Sequence, residues 1–161
     1  MARADAAMTT QPWARLSLSG QDSMLSGIDG LPGALPIAPG IERLRREQFP
    51  PRLPLAWVME NAIAAIEDEL ARVPRHLHGL ALASDDPAVQ AIAGAAGIVG
   101  LPAMLGRDAV EHVFARLSAV ALGRPAASEG LPESTDFIAA LLLVRELMHH
   151  LDIPAIRVGS G

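Results

Sequence analysis

The sequence contains no cysteine, no lysine and no tyrosine. Without cysteine there is no disulfide, thiol nucleophile, iron–sulfur cluster or cysteine zinc site. Without lysine there is no Schiff base, no pyridoxal phosphate anchor and no lysine-containing phosphate loop. Aromatics are scarce: Trp13, Phe49, Trp57, Phe114 and Phe137 are the whole set. They form no run of stacking residues such as a single-strand binder uses. The net charge is −5, and the densest basic cluster, Arg43, Arg45 and Arg46, is interleaved with Glu42 and Glu47. No nucleic-acid partner is expected from such a surface. All 13 basic residues are Arg. With the abundance of alanine, this reads as the codon usage of a GC-rich, bacterial-like genome and carries no mechanism.

Long hydrophobic runs are also missing. The longest stretch without a polar side chain, Ala91–Gly106, has 16 residues, four of them Gly and one Pro. That falls short of the roughly 20 needed to span a bilayer, so no membrane partner is expected. Met1–Ser19 carries Arg3, Asp5 and Arg15 and no apolar signal core. The expected location is cytoplasmic.

What is present is one domain's worth of chain. For 161 residues, area scaling gives about 69% of the unfolded surface buried, enough for a core without staples. The expected division is a disordered start and an extended apolar Pro/Gly-rich arm over 1–53, then a single globular domain over 54–158. Residues 20–54 hold five Gly and six Pro, yet also Leu25, Ile28, Leu31, Leu35 and Ile37. Proline fixes φ and removes donors, so this segment reads as extended chain and turns. Its apolar residues must be covered, either by its own core or by a partner.

Helical spacing is clearest over 54–73, where Leu55, Val58, Met59, Ala62, Ile63, Ile66, Leu70 and Val73 form one stripe. A short helix is expected over 40–49. A buried strand is expected over 77–83. Ser84-Asp85-Asp86-Pro87 then has the chemistry of a helix start, with a small-residue helix over 87–96 stopped by Gly97. A second short strand is expected at 98–101, a helix over 108–122 stopped by Gly123, and a last helix from Ser134 or Thr135 to Leu151. Phe137–Val144 is apolar all round, so that half is deeply buried or in an interface. Ile153–Val158 reads as a closing strand, at an edge because of Pro154. The expectation is an α/β fold: about three strands covered by four or so helices, behind the N-terminal arm. An all-α bundle is the alternative, since every expected strand is short or holds Gly or Pro.

The residues that could carry chemistry fall into two groups. Ser84, Asp85 and Asp86 would sit beyond a strand's C-terminal end, where ligands of open α/β sheets gather. Their types equally suit a helix cap. Two acids there repel a bare phosphate but could hold Mg²⁺ or accept protons from a hydroxylated ligand. The second group is His149 and His150 near the end of the last helix. Glu146, His149 and His150 share a helical face, and His76 and His78 share a strand face. Imidazole and carboxylate suit Zn or Fe, so Glu146, His149, His150, His76 and His78 are the candidate metal ligands. The same residues also satisfy a helix C-terminus. Glu60 and Glu67 lie seven apart, as on a solvated face, and Asp108 and His112 can pair locally. Gly94, Gly97 and Gly100 are spaced by three, which fails the dinucleotide fingerprint, and no cofactor is expected.

No catalytic motif is complete. The functional expectation is therefore a non-enzymatic accessory or interaction protein, a small subunit or assembly partner. It would bind another protein or a second copy of itself through its apolar arm and helices. The alternatives are a small α/β enzyme with Ser84, Asp85, Asp86 and His149 or His150 at one pocket, and a metal-binding domain using the His/Glu set. Whether the chain is an enzyme stays open at this point.

Overall fold

The computed structural model describes residues 13–49 and 56–159. The chain opens with an antiparallel meander, β1 (Ala14–Ser17), β2 (Asp22–Ser26) and β3 (Ala34–Pro39), followed by helices α1 (Ile41–Gln48) and α2 (Ala56–Leu70). Then come β4 (Leu82–Ser84), α3 (Pro87–Ala95), β5 (Ala103–Gly106), α4 (Arg107–Ala121), α5 (Ala126–Glu129), α6 (Thr135–His150) and β6 (Ala155–Val158). The strands form one six-stranded sheet in the order β3-β2-β1-β4-β6-β5. β4 runs parallel to both β1 and β6, and the remaining pairs are antiparallel.

The fold is α/β, as expected, and the all-α alternative fails. The expected count of about three strands is too low. The difference lies in the Pro/Gly-rich segment, which supplies β2 and β3 where extended chain and turns were expected, while β1 lies in the supposed disordered start. Proline lacks an N–H donor, which argues against a place inside a sheet. Pro36 and Pro39, however, stand on β3, and β3 is an edge strand, where a missing donor faces no partner. A register shift at Ser23/Met24 leaves Ile37, between these prolines on β3, as the extra residue of a bulge, and the Ser23 hydroxyl donates to the Pro39 carbonyl at 2.8 Å.

Alternating burial shows that one sheet face is covered. Registered neighbours Leu16 and Leu25 are buried, as are Leu82, Ile156 and Leu105, while Arg15, Ser17 and Met104 are exposed. α6 is the hub of the helical layer and packs against α1, α2, α3 and α4. Every residue from Phe137 to Val144 is buried within the chain, which answers the uniformly apolar sequence of that half. Ser134 caps the start of α6. At its other end the Arg107 guanidinium donates to the Met148 and Ile153 carbonyls at 2.9 and 3.2 Å.

The other helices fall close to their expected places. The stripe expected over 54–73 is α2, although Pro54 and Leu55 lie outside the described residues. α3 ends in a Schellman motif: Gly97 N–H donates to Gly94 and Ile98 N–H to Ala93, with Gly97 at φ +81°. The strand expected at 98–101 is irregular chain, and β5 begins two residues later. Of 77–83 only the end is strand, since Arg75–Leu77 is a single 3₁₀ turn. No helix among the described residues is long and apolar enough to cross a membrane.

Candidate functional site

Parallel pairing of β1 with β4 sets two turns side by side: the β1–β2 turn and the β4–α3 turn. Asp86 joins them. It is the N-cap of α3, with Oδ1 accepting from Ala88 N–H at 3.0 Å. Its Oδ2 accepts from Leu18 N–H at 2.8 Å and Ser19 N–H at 3.1 Å. Ser84 reinforces the joint: its hydroxyl donates to the Leu16 carbonyl at 2.8 Å and accepts from Asp86 N–H at 3.2 Å. Both side chains are buried, so their first task is to hold the two turns in register. Asp85 points outward and pairs with the exposed Arg15 at 2.7 Å, a contact that water and salt weaken.

The start of α1 closes onto the same β1–β2 turn. Gly40, Ile41 and Glu42 donate their N–H groups to the carbonyls of Gln21, Leu18 and Gly20 at 2.8, 2.8 and 3.3 Å. These are helix-terminal donors that a helix cannot satisfy internally. Gly40 is needed for the close approach: a Cβ there would lie 2.7 Å from the Gly20 carbonyl carbon and 2.9 Å from that of Gln21.

Two hollows flank the joint. One, of about 380 Å³, is lined among others by Ser19, Ile41, Asp86, Ala88, Ser134 and Asp136. The other, of about 330 Å³, is lined by Arg15, Ser17, Ser26 and Asp85, and shares Ser19 and Asp86 with the first. The first hollow gathers the N-terminal ends of three helices, α1 at Ile41, α3 at Pro87 and Ala88, and α6 at Ser134 and Asp136. Each end carries the positive pole of its helix dipole. Asp136 is paired with Arg45 at 2.8 Å.

The histidine group lies elsewhere. α6 rises about 1.5 Å per residue, so His149 stands about 20 Å along the axis from Asp136. The structure therefore does not bring Ser84, Asp85 and Asp86 together with His149 or His150 at one pocket. His149 Nε2 meets Glu111 Oε1 at 2.5 Å, and Arg145 Nε donates to the same carboxylate at 3.0 and 3.2 Å. Burial pushes Glu111 up, but the His149 and Arg145 hydrogen bonds and charges outweigh it and leave its carboxyl below the ordinary range. Arg145 also donates to Glu146 Oε1 at 2.6 Å and lies over the Phe114 ring, 4.1 Å from its centre.

Of the expected metal ligands, Glu146 and His150 come together and the rest do not. The third member of their cluster is Glu67 on α2. One ligand atom from each of Glu67, Glu146 and His150 lies within 4.8 Å of the others. His150 Nε2 is 3.3 Å from Glu67 Oε1 and 3.8 Å from Glu146 Oε2. Burial raises the Glu146 carboxyl above its ordinary range; the Arg145 charge opposes this and Glu67 adds to it. His149 is turned to Glu111, His78 lies 3.3 Å from the Val73 carbonyl, and His76 is exposed in the 3₁₀ turn. Sequence reading set Glu67 beside Glu60 as solvated surface, and nothing in local spacing reports that α2 and α6 cross there. Ser19, Ser134 and Asp136 were likewise missed, because three loops distant in sequence build the hollow.

No protein-family model matches the chain, and no curated protein matches its sequence. Its fold does have solved counterparts. It is similar to the PPX-GPPA enzyme of Aquifex aeolicus, at 10% identity and a TM-score of 0.64 over 92% of this chain and 53% of that one. The type II variant of the Aquifex aeolicus Ppx/GppA phosphatase aligns at 12% identity and a TM-score of 0.64, over 93% and 53%. An exopolyphosphatase-like protein aligns at 14% identity and a TM-score of 0.62, over 92% and 54%. The likeness is one of fold, and the chain spans about half the length of the structures it matches. It overturns the expectation of a non-enzymatic accessory or interaction protein, since these counterparts are enzymes of the Ppx/GppA family. Part of the physical basis of that expectation also goes: within the apolar arm Leu25 and Ile37 are buried in the chain's own core and Ile28 and Leu35 pack against it, while Leu31 stays exposed.

Proposed function

We propose that this chain is a phosphohydrolase lobe, and that the 380 Å³ hollow at the Asp86 joint receives a phosphoryl group. The observation that carries the reading is the meeting of three helix N-termini over one turn. Such ends favour anions through the positive poles of their helix dipoles. The fold likeness to Ppx/GppA enzymes supports it from outside. The side chains at the hollow, Asp86 and Asp136, are acidic, so a phosphate carried as its magnesium chelate suits the hollow better than a bare anion.

In this reading Asp86 is a positioning residue. Its three accepted hydrogen bonds hold the β1–β2 backbone against the start of α3, so the shape of the hollow is set before the ligand arrives. The Ser19 and Ser134 side chains line the hollow beside it, where a hydroxyl can donate to phosphate oxygen.

The test is binding rather than turnover. Backbone amide shifts followed by NMR, during titration with inorganic phosphate or tripolyphosphate and Mg²⁺, should move and saturate at Ser19–Gln21, Ala88 and Asp136. Asp86→Asn should weaken that response. A titration that moves only Arg15 and other surface arginines would sink the reading.

A further inference from the structure

We propose that Glu67, Glu146 and His150 form a site for one zinc-like divalent metal ion, distinct from the Asp86 hollow and tying α2 to α6. This goes beyond the phosphohydrolase reading and does not depend on it. Three observations carry it. The first is spacing. Two ligands of a tetrahedral ion with bonds of 2.0–2.1 Å stand about 3.3–3.4 Å apart. The His150 Nε2 to Glu67 Oε1 separation is 3.3 Å, and Glu146 Oε2 lies 3.8 Å from the same nitrogen. Small side-chain adjustments suffice to place all three on one ion.

The second is the state of Glu146. Its side chain is 4% exposed. Oε1 accepts from Arg145, and Oε2 stands 3.8 Å from the His150 imidazole nitrogen. A nearly buried carboxylate beside an imidazole and a second carboxylate offers the oxygen and nitrogen donors that a divalent ion takes. The Arg145 contact then resembles the outer-shell hydrogen bond that orients a ligating carboxylate.

The third is charge. Arg145 divides itself between Glu111 and Glu146, and His149 also serves Glu111. That leaves Glu67 and Glu146 as two carboxylates around a single imidazole, which one divalent cation neutralises. Glu67 and His150 are partly open to solvent, which provides an entry path. Imidazole with two carboxylates suits Zn²⁺, with Co²⁺ as its spectroscopic stand-in, and leaves a fourth position for water.

The test uses the full chain without a histidine tag, stripped with a chelator. Calorimetric titration with Zn²⁺ should show one ion per chain, and Co²⁺ should give the visible bands of a tetrahedral complex. His150→Ala and Glu67→Gln, both partly exposed and each checked for native circular dichroism, should weaken binding by at least about tenfold. His149→Ala should leave it unchanged. A chain that binds no Zn²⁺ saturably overturns the proposal. So does binding that survives His150→Ala and Glu67→Gln, or that is lost in His149→Ala instead.

Discussion

One carboxylate oxygen of Asp86 accepts the backbone N–H of Leu18 at 2.8 Å, across 68 positions of sequence. The same side chain also holds Ser19 and Ala88, so a single acid caps a helix and fastens a neighbouring turn. Asp86→Ala should therefore lose about 2–4 kcal/mol, more than a helix cap alone, because buried N–H donors are left without an acceptor. Asp86→Asn keeps one acceptor oxygen and should fall between the two. Urea unfolding of the three proteins checks the order.

Gly40 should resist any side chain. Its φ of −85° is ordinary, so the constraint is room and not conformation. Gly40→Ala drives a methyl into the Gly20 carbonyl, and an overpacked site of this kind costs about 1–3 kcal/mol. Gly94, inside α3 with nothing near its missing Cβ, makes the contrast: Gly94→Ala should stabilise by about 0.5–1 kcal/mol. Thermal melts of the pair should move in opposite directions.

The centre of α6 should be the least tolerant of truncation. Leu142 is fully buried within a helix that four others surround. Leu142→Ala should cost about 2–5 kcal/mol, the spread depending on how far its neighbours close the cavity. The corresponding change at the exposed Leu122 should be nearly silent. Denaturant midpoints of the two variants decide it.

Glu111 gives the fold an acid-sensitive point. Its folded carboxyl sits below the ordinary value of 4.5. A depressed pKa contributes stability that is present above the unfolded value and is lost as pH falls through the folded one. The loss should begin near 4.5 and continue below it. Glu111→Gln removes this contribution, so the difference between wild type and variant should shrink on acidification. Melting temperatures taken across that range would show the two curves converging; a constant gap would contradict it.

Much of the helical half was readable because helices declare themselves locally. The stripe of Val58, Met59, Ala62, Ile66 and Leu70, the Asp86-Pro87 start and the Gly97 stop all lie within a few residues of what they control. The sheet was less readable. Whether Pro36 and Pro39 exclude a strand depends on whether that strand has a neighbour on its far side, and the sequence near them does not contain that information. The same holds for the sites. Ser84 and Asp86 could be found as a cap, but their reach to Leu16, Leu18 and Ser19 follows from the parallel pairing of β1 with β4. Glu146 and His150 were visible as a helical pair, and Glu67 joined them only once α2 had crossed α6.

The placement of β6 bears on how the molecule assembles. Ala155–Val158 pairs with β4 on one side and β5 on the other, and β5 has no other neighbour in the sheet. A ribosome makes β5 about fifty residues before its only partner emerges. Until then β5 has nothing to join in the sheet, and α3 lacks the β6 strand it packs against. Closure of this edge is therefore a late event with long-range contacts, the kind that slows folding. Without β6, β4 would lack one of its two neighbours and β5 its sole neighbour in the sheet.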